Sequence, residues 1–238
     1  AHGIPAVLGF SVDEVMLKAA RTIALDGGSG EVVLDHVLTS TRWASLTDQE
    51  RATTLRDYVA DAAGDRPVSA VVAGVHGNDS PAQHAILSAP LNAIYHQVDV
   101  LNDSHLVILA EGLRSGTGVI AGTGSSATAV AADGSAITVG GWGWVLGDEG
   151  GGAGIVREAA REVLEAFDRE ENDPLTSLLL EALDVPHPHG LTFCLGNTEP
   201  RLWSRAAPAV FAADEAGSTR ARRAIARNVG AMADMIGV

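Results

Sequence analysis

Between residues 47 and 110 the sequence alternates helix and strand signals closely enough to narrow the possible architectures sharply. Thr47-Asp-Gln-Glu50 has the form of a capping box, with Thr47 placed to accept from the amide three residues on and Glu50 placed to reach back. Leu55, Val59 and Ala62 recur at helical spacing, and Gly64 ends the pattern. Ser69–Gly74 reads as a buried strand. Ser80-Pro-Ala-Gln83 then starts a second helix, to about Ala89, with proline at its favoured first position. Gln97–Leu101 is a further strand, and a helix follows Asp103. Short apolar strands separated by helices predict an α/β layered domain with parallel strands.

The flanking segments extend this plan. The first 45 residues read as extended: Ala6–Phe10 and Thr22–Leu25 are apolar runs, Asp26–Gly30 is a turn cluster, and Glu31–Thr39 is β-rich. Such spacing predicts an antiparallel hairpin; Val12–Ala20 has helix formers without clean alternation and is left open. After a boundary near Arg114–Thr117 the pattern restarts with three short strands, Gly118–Gly122, Ala127–Ala132 and Ala136–Gly140. Helices are predicted at about Gly152–Phe167, Pro174–Leu183, Pro200–Ala213 and Ser218–Ile236. The halves form a weak structural duplication, 1–115 and 116–238.

Composition excludes several function classes. The 238 residues carry a formal charge of −14, which disfavours nucleic-acid backbones and anionic membranes as partners. It leaves phosphate ligands open, because backbone amides bind them without basic side chains. The single cysteine, Cys194, forms no internal disulfide, and no apolar run reaches membrane-spanning length. The expectation is a soluble, cytoplasmic protein.

Three segments are candidates for chemistry. Asn102-Asp103 follows a strand of the α/β region, where ligands gather in open sheets. A carboxylate there can take a proton from a hydroxyl, or simply cap the next helix. Ala121-Gly-Thr-Gly-Ser-Ser126 lies between strands. Its amides and hydroxyls suit an anion nest, and a ligand-free hairpin turn is the alternative. Residues 140–154 hold eight glycines in fifteen, interleaved with Trp142, Trp144, Asp148 and Glu149. Flexible linkers pair glycine with serine, so a loop passing close to a ligand fits better than a spacer. His76 with Asp79, and His187-Pro-His189, lack further partners at metal-ligand spacing and read as structural or surface histidines. No Gly-x-Ser-x-Gly elbow supports a hydrolase.

In order and spacing, Asn102-Asp103, the AGTGSS loop and GGWGWVLGDEG together resemble the N-acetylglucosamine kinase and BadF/BadG/BcrA/BcrD-type ATPase family of the actin, Hsp70 and sugar-kinase superfamily. The resemblance covers at least residues 69–168, and Pro208–Gly217 is similar to a helix of the same family. It implies an α/β, actin-like fold of two ribonuclease-H-like lobes with a cleft between them, the second lobe carrying a helical insertion at about 152–217. It also implies transfer of the γ-phosphoryl of MgATP to an amino sugar: N-acetylglucosamine, glucosamine or a related hexose. Asp103 matches the catalytic base, and Gly122, Thr123, Gly124 and Ser125 match a phosphate loop. Gly141, Trp142, Gly143 and Asp148, with Asn102, match the stretch that shapes the sugar pocket. Ser40-Thr-Arg-Trp43 is similar to a sugar-contacting segment, with Arg42 where the family has asparagine.

Two departures accompany the resemblance. The family's opening Asp-Gly-Gly-Gly-Thr-type loop corresponds here to Leu8–Met16, which has no glycine cluster, although Ser11 or Asp13 could stand in for the acid. Asp26–Gly30 reads as a hairpin turn rather than a substitute for that loop. The strands and Gly-Gly loop that grip adenosine in the family would follow the helix Ser218–Ile236. The expectation is thus a truncated second lobe, whose sheet edges would need a partner, a homodimer being one solution. The alternative function is a sugar-binding or regulatory remnant of a kinase. A third reading, an ATPase that activates a redox enzyme through a cysteine-held cluster, has only Cys194 to draw on.

Overall fold

A computed structural model of the chain describes residues 4–9, 19–25, 32–39, 43 and 46–237. The chain divides into two compact units, residues 1–118 with 128–138, and residues 119–127 with 139–238.

The first unit is built on a five-stranded sheet. Its strands β1 (Ile4–Gly9), β2 (Ala19–Leu25), β3 (Val32–Thr39), β4 (Val68–Val75) and β5 (Val98–Asn102) lie in the order β3-β2-β1-β4-β5. β2 pairs antiparallel with β1 and β3, as the hairpin reading expects. β4 pairs parallel with β1 and β5, as the helix–strand alternation requires. Residues 10–18 and 26–31, which contain Ser11, Asp13 and the Asp26–Gly30 cluster, lie outside the described residues.

Helix α1 (Asp48–Ala63) opens with the expected capping box: the Glu50 amide donates to Thr47 Oγ1 at 3.3 Å, and the Thr47 amide donates to Glu50 Oε2 at 2.8 Å. Helix α2 (Pro81–Asn92) is capped by Ser80 and runs past Ala89, through Pro90. A proline inside a helix costs about 3 kcal/mol. Leu87 and Leu91, one turn apart and fully buried, draw the last turn into the core and offset that cost. These leucines pack with Leu55 and Val59 of α1, Val71, Ala73 and Val75 of β4, Val100 of β5 and Trp43. Helix α3 (Asp103–Ala110) follows β5 without a connecting loop.

Strands β6 (Gly116–Ala121), β7 (Ser125–Val130) and β8 (Ala136–Gly140) form a three-stranded sheet in sequence order. Their connections are too short for anything but antiparallel neighbours. From Gly152 onward the described chain of the second unit is helical: α4 (Gly152–Asp168), α5 (Pro174–Ala182), α6 (His189–Asn197), α7 (Pro200–Trp203), α8 (Ala207–Glu215) and α9 (Thr219–Ile236). Its core joins Ala153, Val156 and Val163 of α4 to Leu175, Leu179, Leu191, Trp203, Val210, Ala221 and Ala224.

Two helix predictions need correction. The single helix expected over 200–213 is broken into α7, a 3₁₀ turn at Ser204–Ala206, and α8. Pro208 lies in the first turn of α8, where its missing amide costs nothing, and it cannot continue a helix from upstream. Helix α6 was not expected. Its glycines Gly190 and Gly196 weaken the helical signal, and of its residues Leu191 is the buried one.

Behind α4 the carboxylate of Glu162, 1% exposed, meets Arg220, Arg223 and Arg227 of α9 at 3.0, 2.7 and 3.0 Å. Arginines at this spacing share one helical face, and that face is tied to α4 through one acid. Burial pushes the Glu162 carboxyl up, but the hydrogen bond from Arg223 and the three positive charges outweigh it and hold it below the ordinary carboxylate range. Among the described residues no helix is long and apolar enough to cross a membrane.

Candidate active site

In the first unit, the parallel register brings Val75 opposite Asn102, so β4 and β5 end together and their next residues emerge side by side. These are the carboxyl ends of parallel strands, the side on which open α/β sheets gather ligands. His76–Asp79 follows β4, and Asp103 follows β5.

The helix-capping alternative for Asp103 is settled by its neighbour. Asn102 is the N-cap of α3: its Oδ1 accepts from the Ser104 amide at 3.0 Å and from Ser104 Oγ at 2.6 Å. Asp103 is the first helical residue and is 5% exposed. Its Oδ1 shares the Ser104 amide at 3.0 Å, while Oδ2 points toward His76 Nδ1 at 3.8 Å. Burial pushes the Asp103 carboxyl up; His76 and the Ser104 amide pull it back, the nearby Asp79 adds to the rise, and the net result is above the ordinary range. A buried carboxylate with a raised proton affinity and one oxygen outside the cap has the makings of a general base.

The surroundings hold Asp103 in place. Asn102 Nδ2 donates to Asp79 Oδ1 at 2.7 Å, and Ser104 Oγ meets Thr128 Oγ1 at 2.5 Å, which in turn meets Thr138 Oγ1 at 2.8 Å. The turn carrying His76 is fixed from both sides. The Trp43 indole donates to the His76 carbonyl at 3.0 Å, and Asn78 Nδ2 donates to the Val100 carbonyl at 2.9 Å. Arg42 lies outside the described residues.

In the second unit the two glycine motifs, distant in sequence, form one structure. The amides of Gly152 and Ala153, which begin α4, donate to the carbonyls of Gly122 and Thr123 at 2.7 and 2.9 Å. The Gly141 amide donates to the Ser125 carbonyl at 2.8 Å, and Ser125 Oγ donates to the Glu149 carbonyl at 2.5 Å. The Gly122 amide turns inward to the Gly124 carbonyl at 2.9 Å, leaving the amides of Thr123 and Gly124 outside these bonds. The start of α4 is therefore capped by the 122–123 turn, and the amides available to an anion belong to that turn.

Glycine is required here by close approach. A Cβ on Gly151 would meet the Gly124 carbonyl carbon and oxygen at 2.7 Å, and one on Gly124 would meet Asp148 Oδ1 at 2.7 Å. Asp148 is buried and adopts a left-handed backbone, φ 65°, a conformation in which a non-glycine residue stores strain. Trp142, flanked by Gly141 and Gly143, is 72% exposed, whereas Trp144 packs edge-on against Trp203 at 5.5 Å. The exposed indole offers an apolar face of the kind sugars stack on.

Two residues that sequence reasoning missed hold this loop. Arg157 Nη1 donates to the carbonyls of Trp144 and Gly147, the latter at 3.1 Å. Asn228, 2% exposed, accepts from the Gly150 amide at 2.6 Å. No local motif marks either residue, since the loop they serve is ten and 78 residues away, respectively. A pocket lined by Glu165, Arg169, Glu171, Asn172, Asp173, Thr219, Arg220 and Arg223 also lies in this unit. Its arginines are paired to carboxylates, so it belongs to the ion-pair frame behind α4 rather than to the glycine loops.

Comparison with known proteins places this geometry. No protein-family profile matches the chain. Over 105 residues it is 33% identical to the N-acetylmuramic acid/N-acetylglucosamine kinase of Clostridium acetobutylicum, a match covering 42% of this chain and 34% of that protein. The match thus spans about a third of that curated relative. Two solved structures share the fold: a candidate N-acetylglucosamine kinase from Chromobacterium violaceum, with TM-score 0.66 and 22% identity over 99% of this chain and 80% of that one; and another from Porphyromonas gingivalis, with TM-score 0.62 and 19% identity over 94% and 77%. The chain shares their α/β, actin-like fold. In that fold and that stretch of sequence, the chain is similar to N-acetylglucosamine kinases.

Proposed function

We propose that the chain carries out ATP-dependent phosphorylation of a hydroxyl on an amino sugar, N-acetylglucosamine or a closely related hexose. The observation that carries this reading is Asp103: a buried carboxylate at the ends of parallel strands, with one oxygen outside the helix cap that Asn102 provides, and raised in proton affinity. As the sugar oxygen attacks the γ-phosphorus, the hydroxyl proton moves to Asp103. The Gly122, Thr123, Gly124 and Ser125 turn holds phosphate oxygens through the Thr123 and Gly124 amides and the Thr123 hydroxyl. Gly141, Trp142, Gly143 and Asp148 shape the sugar pocket, with Trp142 stacking on the ring and Asp148 accepting from its hydroxyls. Asn102 orients Asp79 and α3.

The residues fit the nucleotide. The bare Cα atoms at 124 and 151 let the Asp148 carboxylate and the start of α4 close on the turn, with the Ser125 amide donating to Asp148 Oδ1 at 3.4 Å, while the Glu149 carboxylate lies 3.6 Å from Arg157. Mg²⁺ bound with ATP needs only one or two carboxylates, because phosphates and waters complete its shell; when present it neutralises charge on the phosphates. The reading is tested by calorimetric titration of N-acetylglucosamine and of MgATP into the chain, followed by assay of sugar-dependent ADP release. Binding of both with turnover supports it, whereas sugar binding without MgATP binding replaces it with a sugar-binding remnant.

A further inference from the structure

We propose that His76 is the proton outlet for Asp103. This rests on the kinase reading for its catalytic consequence, though not for the pairing itself. Asp103 is closed off from solvent, its side chain 4% exposed, while the His76 side chain 3.8 Å away is 53% exposed. A base that has taken a proton into a buried site must release it before the next turnover, and the imidazole is the titratable group spanning that gap. The distance suits one bridging water or a small side-chain rotation.

The step balances. Attack on phosphorus breaks the sugar O–H bond and forms an O–H bond on Asp103. Neutral His76 then accepts that proton at Nδ1, which restores the carboxylate and leaves an imidazolium. The imidazolium gives up a proton to water, and exchange with solvent at the exposed ring restores the neutral Nε2–H tautomer with Nδ1 free. Histidine suits the task because its two ring nitrogens can take a proton on one side and give one up on the other. The charged groups around it are Asp103 at the start of α3, Asp79 in its own turn, and Arg51 of α1, which is paired with Asp48. The Arg51 guanidinium would lie 3.0 Å from a Cβ on Gly77, so it flanks the turn. The backbone of the turn is anchored through Trp43 and Asn78, so replacing the imidazole leaves the loop held.

Two measurements test the proposal on the full chain. The first follows the Asp103 carboxyl by infrared difference spectroscopy, identified by its loss in Asp103→Asn, across pH in wild type and His76→Gln. Removing a neighbour that stabilises the carboxylate moves the protonated band to higher pH; an unchanged titration overturns the proposal, and this result needs no turnover. The second measures kinetics of His76→Ala and His76→Gln, with thermal melting to confirm folding. A fall of about tenfold in kcat with KM unchanged, restored in His76→Ala by added imidazole, is expected for a proton carrier. Unaltered kcat, or a loss that imidazole does not restore, overturns it. If wild type shows no sugar-dependent ADP release, the kinase reading fails, and the carboxyl titration alone decides the pairing.

Discussion

The carboxylate of Asp148 lies directly against the bare Cα of Gly124: a methyl group there would sit 2.7 Å from Oδ1 and 2.8 Å from Oδ2. The two glycine motifs therefore interlock as well as hydrogen-bond, and the 122–125 turn and the 140–150 loop cannot be varied independently. Gly124→Ala must push the Asp148 carboxylate off a strained backbone, an overpacking that costs about 1–3 kcal/mol. Denaturant unfolding should register that loss, and calorimetry should find MgATP binding weakened about tenfold or more.

The GDEG loop depends on two remote residues. Asn228→Ala removes the acceptor of the Gly150 amide in a buried setting, so stability should fall by about 1–2 kcal/mol. Arg157→Gln releases two loop carbonyls. Because the loop is assigned to the sugar, its KM for sugar should rise severalfold while kcat changes less. A kcat loss without a KM change would place Arg157 elsewhere in the reaction.

Glu162 is the acid on which three arginines of α9 converge. Glu162→Gln leaves buried Arg220 without its full charge balance, at a cost of about 3 kcal/mol. The pH dependence has a definite sign. The folded-state pKa of Glu162 is lowered, so its contribution is present above the unfolded-state pKa and is lost as pH falls through the folded value. Wild type should thus lose its stability advantage over Glu162→Gln only in acid, as chemical denaturation along a pH series would report.

Asp103 should behave oppositely. Its folded-state pKa is raised, so its contribution is complete below the unfolded-state pKa and is lost as pH rises through the folded value. Asp103→Asn avoids burying a charge at neutral pH and should be about 1 kcal/mol more stable than wild type, the gap closing toward acid. A variant that gains stability while losing activity marks a residue kept for chemistry.

Much of this architecture was legible because local signals agreed with the global fold. The Thr47 and Ser80 caps, the apolar runs at β4 and β5 and the alternation between them each pointed to the parallel arrangement, and the backbone pairing follows it. Asn102-Asp103 and both glycine motifs stood out because their composition is costly anywhere but at a turn or a site. The hidden parts were long-range. Nothing local to Arg157 or Asn228 announces a loop ten or 78 residues distant, and His76 looked like a surface histidine until the strand register placed it beside Asp103. The second helix is expected to end at about Ala89, yet burial of Leu87 and Leu91 carries it through Pro90.

The most direct test of the central claim, that Asp103 is the base of a sugar kinase, is sugar-dependent ADP release by wild type and Asp103→Asn under identical MgATP. The account predicts turnover in wild type and a loss of about 10²–10⁴-fold in the variant, which still melts at or above the wild-type temperature. Equal turnover in a folded Asp103→Asn protein would contradict it.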